Sequence, residues 1–361
     1  MMLTNEPIAI VTPEQVTPAW MSQALACRGI GATVESLTVD LVGTGQLGET
    51  RRFHLNYKRG APASAPRTLI GKFPSDSAIA ASSGRSMGLY RAEVMFYREL
   101  AHRARIRTPD VYVAEINESN DFILLLEDMA PAVMGDQMRG CTIDEASKAL
   151  SEAALLHATF WNDTELLKQD WLSVPPGAQG LYTTDLIEKS WYHVKKDYDG
   201  QLSPEVTEVC DRYVRNHAWW NRPRDTPKCF SHNDFRPDNL LFGGPDDRVA
   251  VVDWQTSSYL SSGMDAAYFL GGIFDRETRK ANERDLLKQY HNDLLKHGVT
   301  DYDFDQMMRD YAFFSFAAIA VAMAATLIVK RTNRGDKLFM HMITGAAHQA
   351  IDNNALDHFP E

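Results

Sequence analysis

Between Phe230 and Phe242 the chain reads FSHNDFRPDNLLF, and from Val249 to Gln255 it reads VAVVDWQ. The first segment places a carboxylate, Asp234, shortly before a carboxamide, Asn239; the second ends a run of valines on another carboxylate, Asp253. Carboxylate and carboxamide oxygens are hard donors that suit magnesium. A positioned carboxylate can also orient a hydroxyl and accept its proton. Phosphoryl transfer needs those two services and little covalent chemistry from the protein. Asp234 is therefore read as the base, Asn239 and Asp253 as magnesium ligands, and Arg236 as the cation that reaches the transferred group and offsets its charge. His232 reads as a structural residue packed beneath the loop. Asp238 reads as exposed or as a turn cap, with no chemical role.

Three further features belong to the same chemistry. Gly43, Gly45 and Gly48 form a GxGxxG pattern in VGTGQLGET, but the alternating segment TRRFHLNY that follows reads as a strand, not as the helix of a dinucleotide fold. A glycine loop between two antiparallel strands is the arrangement that lies over the phosphates of ATP in kinases, where missing side chains let the backbone approach. Lys72 stands within the apolar strand LIGKF, a costly place for a charge without a partner. Taken singly, Lys72 and Glu93 read as solvated charges; their order after the glycine loop makes Glu93, on the following helix, the expected partner, and the pair would aim the ammonium at the α- and β-phosphates. A metal hydrolase built on His232, Asp234 and Asp253 accounts for the same acidic cluster. It leaves the glycine loop, Lys72 and Glu93 without a role.

These residues need elements to position them. The helix at VTPAWMSQALACRG has Thr17 as N-cap and Pro18 at its first position. Strands and turns alternate from Leu37 to Phe73, SDSAIAASSGRS reads as a small, polar, mobile stretch, and Leu89 to Arg103 reads as an amphipathic helix carrying Glu93 and Glu99. VYVAEIN and FILLLED add two strands. After Met129 the pattern turns helical, beginning with a capping box in which Thr142 is followed by Glu145. The expected fold class is α+β: an N-terminal lobe over residues 1–127, with a small antiparallel sheet and one helix, and a larger, mainly helical C-terminal lobe over 128–361.

With 361 residues the chain can form two lobes around a cleft. A formal net charge of -11 argues against non-specific nucleic-acid binding, which needs clustered cations. Cys27, Cys141, Cys210 and Cys229 form no CxxC pair, which suits a reducing cytoplasm rather than a disulfide framework. MMLTNEPIAIVTPEQ does not read as a secretion signal. Tyr311 to Val329 is uncharged and long enough to span a bilayer. Its alanine content and its isolation favour a buried helix, so no stable membrane insertion is expected.

The order glycine loop, strand Lys, helix Glu, HxDxxxxN and apolar-run Asp resembles the aminoglycoside phosphotransferase and choline kinase family. LLLEDMA is similar to that family's inter-lobe hinge and LLHATFW to its first large-lobe helix. EVMFYREL, LEDM and LHATFW together resemble the ecdysteroid kinase-like branch. The resemblance covers about Leu37 to Leu270. It implies a bilobal protein-kinase-like fold, ATP and Mg2+ as cofactors, and transfer of the γ-phosphoryl group to a hydroxyl of a small-molecule substrate.

Carried over by position, Asp234 matches the base, Asn239 and Asp253 the metal ligands, and Lys72 and Glu93 the phosphate-positioning pair. Backbone near Glu127 and Met129 would meet the adenine. Asp265, in GMDAAYFL, matches a structural Asp that braces the catalytic loop by accepting backbone hydrogen bonds. Two positions depart from the family pattern. Asn233 stands where a Gly is common, and Arg236 is closer to the protein-kinase loop. Tyr182, Trp191, Tyr192, Trp219 and Trp220 line an apolar acceptor pocket on one reading and belong to the core on the other. A nucleotide-binding protein without transfer activity would keep the same ATP residues.

Overall fold

The computed structural model describes residues 8–43, 47–174, 178–179 and 181–360. The chain groups into two compact units. The first comprises Met1–Pro131, Gln169–Ala178 and Ala250–Thr256; the second comprises Ala132–Lys168, Gln179–Val249 and Ser257–Glu361.

The first unit is built on an antiparallel sheet of five strands. These are β1 (Val34–Leu41), β2 (Gly48–Tyr57), β3 (Thr68–Pro74), β4 (Val111–Ile116) and β5 (Phe122–Glu127), in the spatial order β1-β2-β3-β5-β4. Alternation along the strands decides which face is dry. Phe53 and Leu55 of β2, Leu69 and Phe73 of β3, and Ile123 and Leu125 of β5 pack with Trp20, Met21 and Leu25 of helix α1 (Pro18–Cys27). Thr17 caps α1 by accepting the Trp20 N–H at 3.2 Å, and Pro18 opens it. Lys72 alternates with Leu69 and Phe73 in β3, so it projects from the opposite face.

That face carries α3 (Leu89–Met95), which is followed by a π-helical turn at Phe96–Leu100. The helix expected to run to Arg103 therefore widens after Met95 and ends early. The stretch read as mobile is instead a helix, α2 (Ala78–Ser86), capped by Ser77. Gly84 is what lets it sit there, because a Cβ at that position would lie 2.4 Å from Cζ of Tyr90.

The second unit is mainly helical: α4 (Ile143–Thr159), α5 (Thr184–Asp197), α6 (Pro204–Trp220), α7 (Gly263–Leu270), α8 (Arg276–Lys296), α9 (Phe304–Phe314), α10 (Phe316–Ile328) and α11 (Asn333–Asp352). The expected capping box opens α4: Thr142 Oγ1 accepts the Glu145 N–H at 3.1 Å and Glu145 Oε2 accepts the Thr142 N–H at 2.8 Å. The apolar segment from Tyr311 to Val329 is two helices rather than one. The break falls at Ser315, whose hydroxyl donates back to the Ala312 carbonyl at 2.7 Å. Of its most apolar window, 78% is buried inside the protein. Short strands punctuate the helices. Cys229–Ser231 pairs with Ser258–Leu260, and Val133–Met134 pairs with Leu240–Phe242. The loop between Ser231 and Leu240 carries the dense polar sequence.

Candidate active site

In the first unit, β1 and β2 lead into and out of the glycine segment. Gly43 has φ +72°, a left-handed conformation that suits a residue without a Cβ. Gly48 opens β2 beside the Phe73 carbonyl, and Gly45 lies outside the described residues. The buried Tyr90 of α3 ties down the exit of this segment, its hydroxyl donating to the Leu47 carbonyl.

Lys72 and Glu93 meet as the sequence predicts. The ammonium donates to Glu93 Oε1 at 2.6 Å and lies 3.3 Å from Asp253 Oδ1. Glu93 is fully buried, and Gln255 Nε2 donates to its second oxygen at 3.2 Å. Burial lowers the proton affinity of Lys72, but the charges of Asp253 and Glu93 outweigh it and hold the ammonium charged. Burial pushes the Glu93 carboxyl up, and the Lys72 charge opposes that shift.

Local contacts fix the Asp253 segment within the same unit. The Thr108 hydroxyl donates to the Val251 carbonyl at 3.1 Å, the Val251 N–H donates to the Arg107 carbonyl at 2.9 Å, and Trp254 stacks on Phe96. Asp253 itself has φ +68°, a strained conformation of the kind that gathers at functional positions. The Glu127 N–H is bonded to the Asp110 carbonyl and its carboxylate to Arg107, while Met129 is buried. A ligand would therefore have to meet Glu127 by some group other than its N–H.

In the second unit, the loop after Ser231 is held from below. Asp265 of α7 accepts the backbone N–H of His232 at 2.8 Å, that of Asn233 at 2.7 Å, and His157 Nε2 at 3.0 Å. Burial raises the proton affinity of the Asp265 carboxyl, but these bonds and the nearby imidazoles outweigh it, leaving the group below its ordinary range. His157 was not singled out from the sequence. It lies in LLHATFW on α4, and its Nδ1 is 2.7 Å from the Tyr290 hydroxyl. His232 is buried and its Nδ1 accepts the Asp234 N–H at 3.3 Å, which makes it part of the loop's framework. Asn233 has φ +63°, so it supplies the left-handed backbone that glycine would supply, and its Nδ2 donates to Ser258 Oγ at 2.7 Å.

Asp234 is the point on which this loop converges. Its Oδ1 accepts from Arg236 Nε and from the Tyr268 hydroxyl, each at 3.0 Å, and its Oδ2 accepts from Asn239 Nδ2 at 2.8 Å. Asn239 Nδ2 also donates to the Asp234 carbonyl at 2.8 Å. With the amide nitrogen committed to two oxygens, Oδ1 of Asn239 is the atom able to meet a cation. Arg236 also pairs with Asp238, which in turn pairs with Arg334 at 3.1 Å. Of the two readings of Asp238, exposed or a turn cap, the first does not hold: the side chain is 14% exposed and anchors Arg236. Tyr268 was missed because it lies in the apolar run of α7; the available signal was its helical spacing from Asp265.

The donor types in each unit suit magnesium-bound ATP: in the first, a carboxylate at Asp253 and a paired ammonium at Lys72; in the second, a carboxamide oxygen at Asn239. Among the described residues no group of three His, Cys, Asp or Glu is placed to hold a metal. The aromatic residues divide. Trp191 is core, with its indole N–H on Asp211 at 2.7 Å, while Tyr192 is 69% exposed. Trp220 stacks on Phe313 and donates to its carbonyl, Trp219 packs edge-on against Phe313 and Phe359, and Tyr182 is partly exposed.

Residues 54–304 match the phosphotransferase enzyme family. The chain belongs to that family. It is accordingly an enzyme of the phosphotransferase kind with an α+β, kinase-like fold, as the resemblance implied. Among solved structures, it is similar to a candidate aminoglycoside phosphotransferase from Ralstonia eutropha JMP134, with 16% identity, 95% of this chain and 98% of that chain covered, and a TM-score of 0.56. It is also similar to an ethanolamine kinase of Plasmodium vivax, with 14% identity, 87% and 82% covered, and a TM-score of 0.54. At these identities the likeness is one of fold. No curated protein matches the chain.

Proposed function

We propose that this enzyme moves the γ-phosphoryl group of ATP to a hydroxyl of a small organic molecule, with Asp234 as the base. The observation that carries the reading is the setting of Asp234. Three side-chain donors orient its carboxylate, yet the side chain keeps 26% of its exposure, so it is fixed without being sealed. A general base needs that combination of orientation and access. Magnesium-bound ATP would supply the transferable group. Asp253 and Asn239 would hold the metal, Lys72 on Glu93 would hold the phosphates, and Gly43, Gly45 and Gly48 would let backbone approach them. The chain around Glu127 and Met129 would meet the adenine. Arg236, released from Asp234 as charge develops, would offset the negative charge of the transferred group.

The similar structures are named for aminoglycosides and ethanolamine, both hydroxylated amines, which supports a small hydroxyl compound as acceptor here. A cytoplasmic setting is part of this proposal, since a reducing compartment would keep the cysteines as thiols. The test is transfer of label from γ-labelled ATP, with magnesium, to a panel of ethanolamine, aminoglycosides, aromatic alcohols and a small-molecule extract of the host. The expected result is a labelled compound formed by the parent and not by Asp253→Asn. Verified MgATP binding with no labelled product from any acceptor would favour a nucleotide-binding protein instead.

A further inference from the structure

We infer that Tyr268 is a positioning residue for the base, fixing Asp234 Oδ1 so that Oδ2 is the oxygen that receives the acceptor's proton. This rests on the proposed function and sharpens it, because it assigns the base one reacting atom and a support outside its own loop. A carboxylate oxygen offers two in-plane acceptor positions. Oδ1 uses both, one for Arg236 Nε and one for the Tyr268 hydroxyl, each at 3.0 Å, whereas Oδ2 receives Asn239 Nδ2 at 2.8 Å and keeps one position for a substrate hydroxyl.

The Tyr268 side chain is a dependable donor. It is buried, and that burial, followed by the nearby Asp234 charge, pushes its ionisation well above the ordinary tyrosine range, so it remains a phenol. It also comes from a rigid element. Asp265 and Tyr268 both lie on α7, and through Asp265 that helix already holds the backbone of His232 and Asn233. One helix therefore fixes both the loop's backbone and the carboxylate of its base, and a site supported by a helix is held more tightly than one supported by a loop.

Arg236 is the donor that the proposed function calls away from Oδ1, toward the charge of the transferred group, whereas Tyr268 has no such second task. When Arg236 turns toward the transferred phosphoryl group, Tyr268 is the donor that stays on Oδ1. In the transfer step, the acceptor oxygen forms a bond to phosphorus, the bond from phosphorus to the ADP oxygen breaks with its electron pair, and the acceptor's proton passes to Oδ2.

Two arms test this. In the first, protein labelled with 13C at tyrosine Cζ is compared with Asp234→Ala, the Tyr268 signal being assigned by its loss in Tyr268→Phe. A shift of that signal is expected; an unmoved signal shows that the hydroxyl does not bond to Asp234 and overturns the inference. In the second, γ-labelled ATP turnover is measured with water and with the acceptor panel. Tyr268→Phe is expected to lower kcat about tenfold, the scale of a lost hydrogen bond to a charged group, while KM for ATP stays at the parent value. A merely structural tyrosine would lower Tm and leave kcat alone, which also overturns it. The two proposals fail differently. If Asp234→Asn turns over as fast as the parent, the base assignment falls. If Asp234→Asn is inactive but Tyr268→Phe matches the parent, only the positioning role falls. If the parent shows no turnover at all, the proposed function falls and the NMR arm decides the contact alone.

Discussion

The Lys72 cluster of the first unit and the Asp234 loop of the second both hold carboxylates, but by different physics. Around Lys72, charge balances charge: one ammonium sits 2.6 Å from the buried Glu93 and 3.3 Å from Asp253. Such a group is strong only while complete, because removing one member leaves an uncompensated charge out of water. Around Asp234, directional donors do the holding: one guanidinium, one phenol and one carboxamide, over a backbone braced by Asp265. Directional bonds fix an orientation without consuming every acceptor position. The first arrangement suits gripping phosphates; the second suits a base that must stay open to a substrate.

Substitutions can break each arrangement in its own way. The largest effect is expected on stability from Asp265→Ala, which strands two backbone N–H groups and His157 in the interior and should cost about 3–5 kcal/mol. A lower urea midpoint with an unchanged slope would register it. Asp265 also predicts the sign of a pH effect. Its folded carboxyl titrates below its ordinary value, so its contribution is present above the unfolded-state pKa, near 4, and is lost as pH falls through the lowered folded value. Urea midpoints taken across acid pH should fall more steeply in the parent than in Asp265→Ala.

Next in size is Lys72→Met, which should lower kcat/KM by roughly a hundredfold or more, the scale of losing a preorganised electrostatic contact. The loss should appear in steady-state kinetics, and Tm should fall as well, because the buried Glu93 is left without its countercharge unless it takes up a proton. The smallest effect is expected from Asn233→Ala. Its φ of +63° disfavours a plain side chain by about 1–2 kcal/mol, and the bond to Ser258 is lost as well. Asn233→Gly keeps the backbone geometry and should lie closer to the parent in thermal unfolding.

The parts of this account that were legible in the sequence are those where a polar residue interrupts an apolar pattern. Lys72 in LIGKF, Asp253 after the valines and the HNDFRPDN loop all announce themselves because burying them without partners is unfavourable. The pairing of Lys72 with Glu93 followed from element order alone. Residues whose role depends on tertiary neighbours were not legible. Tyr268 looks like core until its hydroxyl is seen on Asp234. Asp238 looks like a solvated charge until Arg236 and Arg334 are seen on it. The helix α2 is hidden by its serines and by Gly84, residues of weak helix propensity, and Gly84 is there because Tyr90 packs against it. Asn233 is intermediate: its departure from glycine was visible, and its left-handed backbone explains why asparagine serves.

The central claim is that Asp234 acts as a base and not merely as a fixed part of the loop. The measurement that addresses it most directly is γ-label transfer by Asp234→Asn beside the parent, with MgATP affinity measured on the same preparations. MgATP binding should stay close to the parent's and turnover should be lower by roughly a hundredfold or more, the scale expected for losing a general base. Turnover equal to the parent's would contradict the claim.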